Sequence, residues 1–174
     1  SYNPGVIADW TGKTITGFNY TIDDICHVIE QTCDLAMPPV APRGTARVTT
    51  ADGFESQNDN WTSWHVSRPF TDEKGACEWL RQKTVSRQQW LAAFDAADAR
   101  AQYRHYMLDL QARLGETVIL NYSTTGFCGV FDSMGLEIYT YFCADYPEVL
   151  QEYLDVSVAL ELRRIHAVAD PAMS

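Results

Sequence analysis

Apolar residues recur at helical spacing over most of this chain and gather into short extended runs at a few places. The first clear helix begins near Ile22. Ile22, Ile25, Cys26, Ile29 and Cys33 share one face, Thr21 is placed to cap it, and Asp23 and Asp24 sit at the positive end of its dipole. On this reading Cys26 and Cys33 can both face inward, while His27 lies off the stripe and faces solvent. Met37 precedes Pro38 and Pro39, which disfavours the helical conformation. The helix therefore ends by Leu35, and residues 34–40 become a short strand or an extended exit. The lead-in before it, residues 10–18, is rich in Thr and broken by glycine.

Residues 47–70 change period. Val48-Thr49-Thr50 and residues 61–66 are β-branched and aromatic, and the stretch between carries turn residues at Asp52-Gly53 and Asn58-Asp59-Asn60. That pattern predicts a β-hairpin. Trp61, Trp64, His65 and Arg68 either rim a pocket or pack the hairpin onto the body. After Pro69, Thr71 is placed to cap a short helix through Lys83, with Ala76, Trp79 and Leu80 on its apolar side. Ser86 is placed to cap a long helix to about Leu114, with an approximate stripe through Trp90, Phe94, Ala97, Leu108 and Leu110. Gly115 stops it, and His105 within it reads as an ordinary helix residue. A strand-forming run follows at Thr117, Val118, Ile119 and Leu120, then a polar, glycine-punctuated loop at 121–129. The pattern closes with a helix over 130–144 and another over 147–169, opened by Pro147. Leu150, Leu154, Val158, Leu162 and Ile165 mark the expected buried side of the last one.

Strands separated by helices belong to a parallel α/β sheet or barrel, yet only two or three core strands are visible, too few to close a barrel. The chain has 174 residues, 46% of them hydrophobic, which suffices for one domain. It nevertheless reads as part of a larger fold, and residues 1–5, without an initiator Met, read as the interior of a longer protein.

A net charge of -10 argues against nucleic acid, whose phosphates need a basic face. No run approaches the ~20 apolar residues of a membrane span and no signal peptide opens the chain. The expectation is a cytoplasmic protein with no membrane partner. Cysteines at 26, 33, 77, 128 and 143 form no CxxC pair, which favours reduced thiols over disulfides. GxGxxG, GxxxxGK[ST], HExxH and GxSxG are absent and the histidines are scattered. No metal site is expected within the chain, and no catalytic residue is assigned.

Candidate chemistry gathers after the run at 117–120, at the C-terminal end of a strand, where α/β proteins place their ligands. The loop offers the amide of Asn121, the hydroxyls of Tyr122, Ser123, Thr124 and Thr125, and the thiol of Cys128, with no charge before Asp132. Asn121, Tyr122, Ser123, Thr124 and Phe127 are the ligand-binding candidates, with His65 and Arg68 of the hairpin as further ones. Residues 117–122 are expected to form a core parallel strand, and 123–128 to line the mouth of a cleft.

Three segments together resemble the uroporphyrinogen decarboxylase superfamily, in particular its branch of cobalamin-dependent methyltransferase-like proteins. They are CDLAMPPVAP, NWTSWHVSRPFTDEKGACEWLR and VILNYSTTGFCGVFDSMGLEIYTYFCADYPEVLQEYLD, and the resemblance spans residues 22–171. It implies a (β/α)8 TIM barrel open at the C-terminal ends of its strands, of which residues 1–174 form the N-terminal part and first half, with a β-hairpin excursion. It also implies zinc and a corrinoid in the complete protein, with the zinc ligands in the half that follows. True decarboxylases of the superfamily carry an arginine-rich segment near the start. Residues 1–18 hold no Arg, which weakens that reading, since substrate carboxylates need cationic partners.

Three hypotheses follow. The first is an enzyme moving a methyl group between a small donor or thiol acceptor and a corrinoid. The second is a carboxy-lyase acting on a tetrapyrrole. The third is a non-catalytic half-barrel completed by a partner chain. A His-x-Cys with a distant Cys downstream favours the first; an upstream arginine cluster favours the second.

Overall fold

The computed structural model describes residues 3–121 and 127–169. They form a mixed α/β protein, 60% helix and 11% strand, with seven helices and two small sheets among the described residues. There is no closed barrel among them. No described helix is long and apolar enough to cross a membrane. The described residues divide into two compact units, 3–48, 56–64 and 104–121 in one, and 49–55, 65–103 and 127–169 in the other.

In the first unit, α1 (Pro4–Thr11) is capped by the Asn3 side chain, and Gly12 ends it at φ +67°. α2 (Ile22–Thr32) begins as the sequence predicts: the Thr21 hydroxyl accepts from the Asp24 amide, and Asp24 Oδ2 accepts from the Thr21 amide at 2.9 Å. Ile25, Cys26 and Ile29 are buried as expected. Cys33 is exposed, a correction to the expected inward pair, because the helix ends at Thr32 and the Cys33 backbone is extended. Two short parallel strands, β1 (Leu35–Ala36) and β5 (Val118–Ile119), pair Leu35 with Val118 and Ala36 with Ile119. The Thr117 hydroxyl donates to the Cys33 carbonyl at 2.9 Å, fixing that register. Ile7, Tyr20, Ile25, Ile29, Leu110 and Leu114 close the core of this unit.

The hairpin is a three-stranded sheet, β2 (Arg47–Thr49), β3 (Glu55–Asp59) and β4 (Thr62–Ser67), in that order. Amides of Thr50 and Asn58 donate to the carbonyls of Phe54 and Ala46, so β2 and β3 run antiparallel. The stretch expected to be a turn is thus itself a strand between two turns. Asn60, at φ +52°, supplies the left-handed residue of the second.

In the second unit, α3 (Glu73–Ala92) is one helix of 20 residues, capped by Asp72 in place of Thr71. Ser86 caps nothing: its hydroxyl donates to the Gln82 carbonyl inside the helix. The break comes later, where the Asp95 carboxylate accepts from the amides of Ala97 and Asp98 at the start of α4 (Ala96–Leu114), whose residues from Arg104 on belong to the first unit. Gly115, at φ +57°, follows the end of α4. The helix expected over 130–144 is two, α5 (Phe127–Met134) and α6 (Leu136–Asp145), separated by Gly135 at φ +75°. α7 (Pro147–Val168) has the expected bounds, and Leu150 and Leu154 of its expected buried side pack against the core, but the rest of that side does not. Val149, Tyr153, Ser157 and Ala167 are buried, while Val158, Leu162 and Ile165 are exposed. Tyr153 and Ser157 take inward places because their polar atoms have partners, the Arg87 guanidinium and the Tyr153 carbonyl. Phe54, Phe70, Leu80, Met134, Phe142 and Val149 close this unit's core.

Candidate functional site

β1 and β5 alternate cleanly. Ala36 and Ile119 pack on the first unit's core, and their neighbours face the other way. Leu35, Met37, Val118 and Leu120 are 51%, 51%, 57% and 48% exposed, an apolar row on one face of the parallel pair. The expected strand over 117–122 is therefore parallel, as predicted, but shorter and bare on one side. The Leu120 amide donates to the Ala36 carbonyl, so the pairing runs to the start of the candidate loop. Asn121 is exposed there. Tyr122, Ser123 and Thr124 lie outside the described residues, and Phe127 opens α5. Cys128 is exposed.

The hairpin candidates fall in the second unit. His65 of β4 sets its ring 4.8 Å from Phe54. Arg68 Nε donates to the Ser133 carbonyl at 2.8 Å, and its guanidinium would lie 3.0 Å from a Cβ placed on Gly135. Arg68 thus ties the α5–α6 junction to the end of the hairpin. The two tryptophans grouped with them both belong to the first unit: Trp64 is exposed, and Trp61 is stacked on Tyr20 at 6.2 Å.

All five cysteines are free. Burial pushes the thiols of Cys26 and Cys77 up, away from the reactive thiolate form. Asp24 is held below the usual carboxylate range, first by the Lys13 ammonium and then by the Thr21 amide. Burial and the neighbouring Cys143 push the Tyr139 hydroxyl up to about 12. Among the described residues no group of three His, Cys, Asp or Glu side chains can hold a metal ion.

Sequence reasoning missed a cleft of about 470 Å³ in the second unit. Its walls carry Trp79, Lys83, Arg87 and Trp90 from α3, Gly129 from α5 and Tyr153 from α7. Lys83 sits 5.9 Å from the Trp79 ring and is ion-paired with Asp52. Arg87 lies 4.9 Å from the Tyr153 ring, and its Nε donates to the Tyr153 hydroxyl at 3.0 Å. The Trp79 indole N–H is buried without an acceptor among the described residues, which costs roughly 1–3 kcal/mol. The signal was present in the sequence as one helical face, 79, 83, 87 and 90, but an expected helix break between Lys83 and Ser86 divided it.

Comparisons with protein-family models, with curated proteins and with solved structures gave no match.

Proposed function

We propose that this chain forms one side of a uroporphyrinogen decarboxylase-like (β/α)8 barrel. In it, the segment after β5 contributes to the ligand site of an enzyme that moves a methyl group between a small molecule and a corrinoid. The carrying observation is the alternation on β1 and β5. Barrel strands turn alternate side chains to the interior and to the surrounding helices. Ala36 and Ile119 have their helices, whereas Leu35, Met37, Val118 and Leu120 have the exposure of an inner wall awaiting its other strands. Both strands then end on the same side, at Met37 and at Asn121, where such barrels bind ligands. A second support is that Arg68 of the RPF segment bonds the chain just before the MGLE segment, so two stretches that carry the resemblance meet.

In this class of chemistry a corrinoid carries the methyl group and zinc activates a thiol. The described residues supply no ligand set for a metal, so zinc would be held by residues outside them. The role for this chain is positioning: the Asn121 amide, with the hydroxyls that follow it, orients the small substrate at the strand ends.

The test is methyl transfer from free methylcobalamin to small thiols by the full-length protein, followed by visible absorbance. Turnover is expected, and Asn121→Ala should lower kcat/KM by about tenfold, the worth of one hydrogen bond, with an unchanged unfolding midpoint. Release of carbon dioxide from a tetrapyrrole carboxylate without methyl transfer would assign the decarboxylase reading instead. No turnover in either assay would favour the non-catalytic half-barrel.

A further inference from the structure

We propose that the cleft beside α3 is a binding site for small planar aromatic carboxylates, distinct from the strand-end site. Its volume, about 470 Å³, lies in the range of ligand pockets and admits a two-ring molecule. Its composition selects the ligand. Trp90, 62% exposed, and Trp79 line it with flat π surfaces, which favour a planar ring over a saturated one, while the buried Tyr153 already carries Arg87 against its ring.

The charges are unequal along the cleft. Lys83 is neutralised by Asp52, so an anion gains little at that end and meets a carboxylate. Arg87 has no acidic partner among the described residues. It is anchored through Nε to the Tyr153 hydroxyl, which fixes the plane of the fork and leaves its two Nη groups to pair with a ligand. A guanidinium so presented matches the two oxygens of a carboxylate. A single uncompensated cation suits a monoanion better than a phosphate dianion, which would also face Asp52. The positive end of α5 adds to the preference, since Gly129 of its first turn lines the cleft and a Cβ there would meet open space.

Isothermal titration of the protein with 2-naphthoate tests the assignment. Saturable one-to-one binding is expected, with 2-naphthamide at least tenfold weaker and acetate giving no saturation. Arg87→Gln should weaken naphthoate at least tenfold and leave naphthamide unchanged. Trp90 is 62% exposed, so Trp90→Ala preserves the fold and should weaken both aromatic ligands. It serves as the deciding variant if Arg87→Gln disturbs the helix packing. Equal affinity for acid and amide, acetate binding as tightly as naphthoate, or Trp90→Ala binding like the wild type would each overturn the proposal.

Discussion

Arg68 and Gly135 illustrate how one pair of residues shapes a helix junction. Gly135 sits at φ +75°, a conformation a side chain resists, and a Cβ there would meet the Arg68 guanidinium. Gly135→Ala should therefore cost about 1–3 kcal/mol in denaturant unfolding. Arg68→Met loses the bond to the Ser133 carbonyl and should cost a similar amount, roughly 1–3 kcal/mol. The double variant should cost less than the sum, because the added methyl no longer meets a guanidinium. Strict additivity would mean the two residues do not interact. Tyr139 makes a second prediction. Its neutral hydroxyl is favoured in the fold, so its stabilising contribution is complete below the unfolded value near 10 and is lost as pH rises towards about 12. Ultraviolet titration should show a tyrosine ionising at about 12 that Tyr139→Phe removes. Complete ionisation of all nine tyrosines near pH 10 would contradict it.

At the scale of elements, legibility depended on whether local signals agreed. α2 was readable because cap, dipole and apolar stripe all point to one helix. Asp24 then gives it an acid sensitivity. Its folded carboxyl titrates below the ordinary value, so its contribution is present above the unfolded pKa of about 3.9 and disappears as pH falls through the folded one. Asp24→Asn should flatten the loss of thermal stability between about pH 5 and pH 3, and an unchanged slope would discount the Lys13–Asp24 pair. α3 misled because a serine resembles a cap wherever its hydroxyl can turn back. Only the structure shows Ser86 spending it on Gln82. That one residue hid the cleft, since it divided the face carrying Trp79, Lys83, Arg87 and Trp90. On α7 the hydrophobic stripe packs at its start, through Leu150 and Leu154, but Val158, Leu162 and Ile165 are exposed, and Tyr153 and Ser157 lie inward with their polar atoms satisfied. Hydropathy cannot register such partners. The strand leading to the loop candidates was legible, but Tyr122, Ser123 and Thr124 lie outside the described residues, and hydroxyl-rich loops carry no spacing rule of their own.

Over the molecule as a whole, the apolar row on β1 and β5 makes the strongest demand. Four side chains about half exposed on a strand pair form the kind of surface that a protein covers with more of itself or with a partner. Replacing Val118 or Leu120 by Lys should leave the fold intact, since neither is buried, while removing the drive to associate. Sedimentation velocity of the 174-residue chain over a range of concentrations tests this most directly. The barrel account predicts species heavier than the 19.6 kDa monomer that grow with concentration and revert to monomer in Val118→Lys. A monodisperse monomer at every concentration, melting cooperatively and unaffected by that substitution, would contradict it.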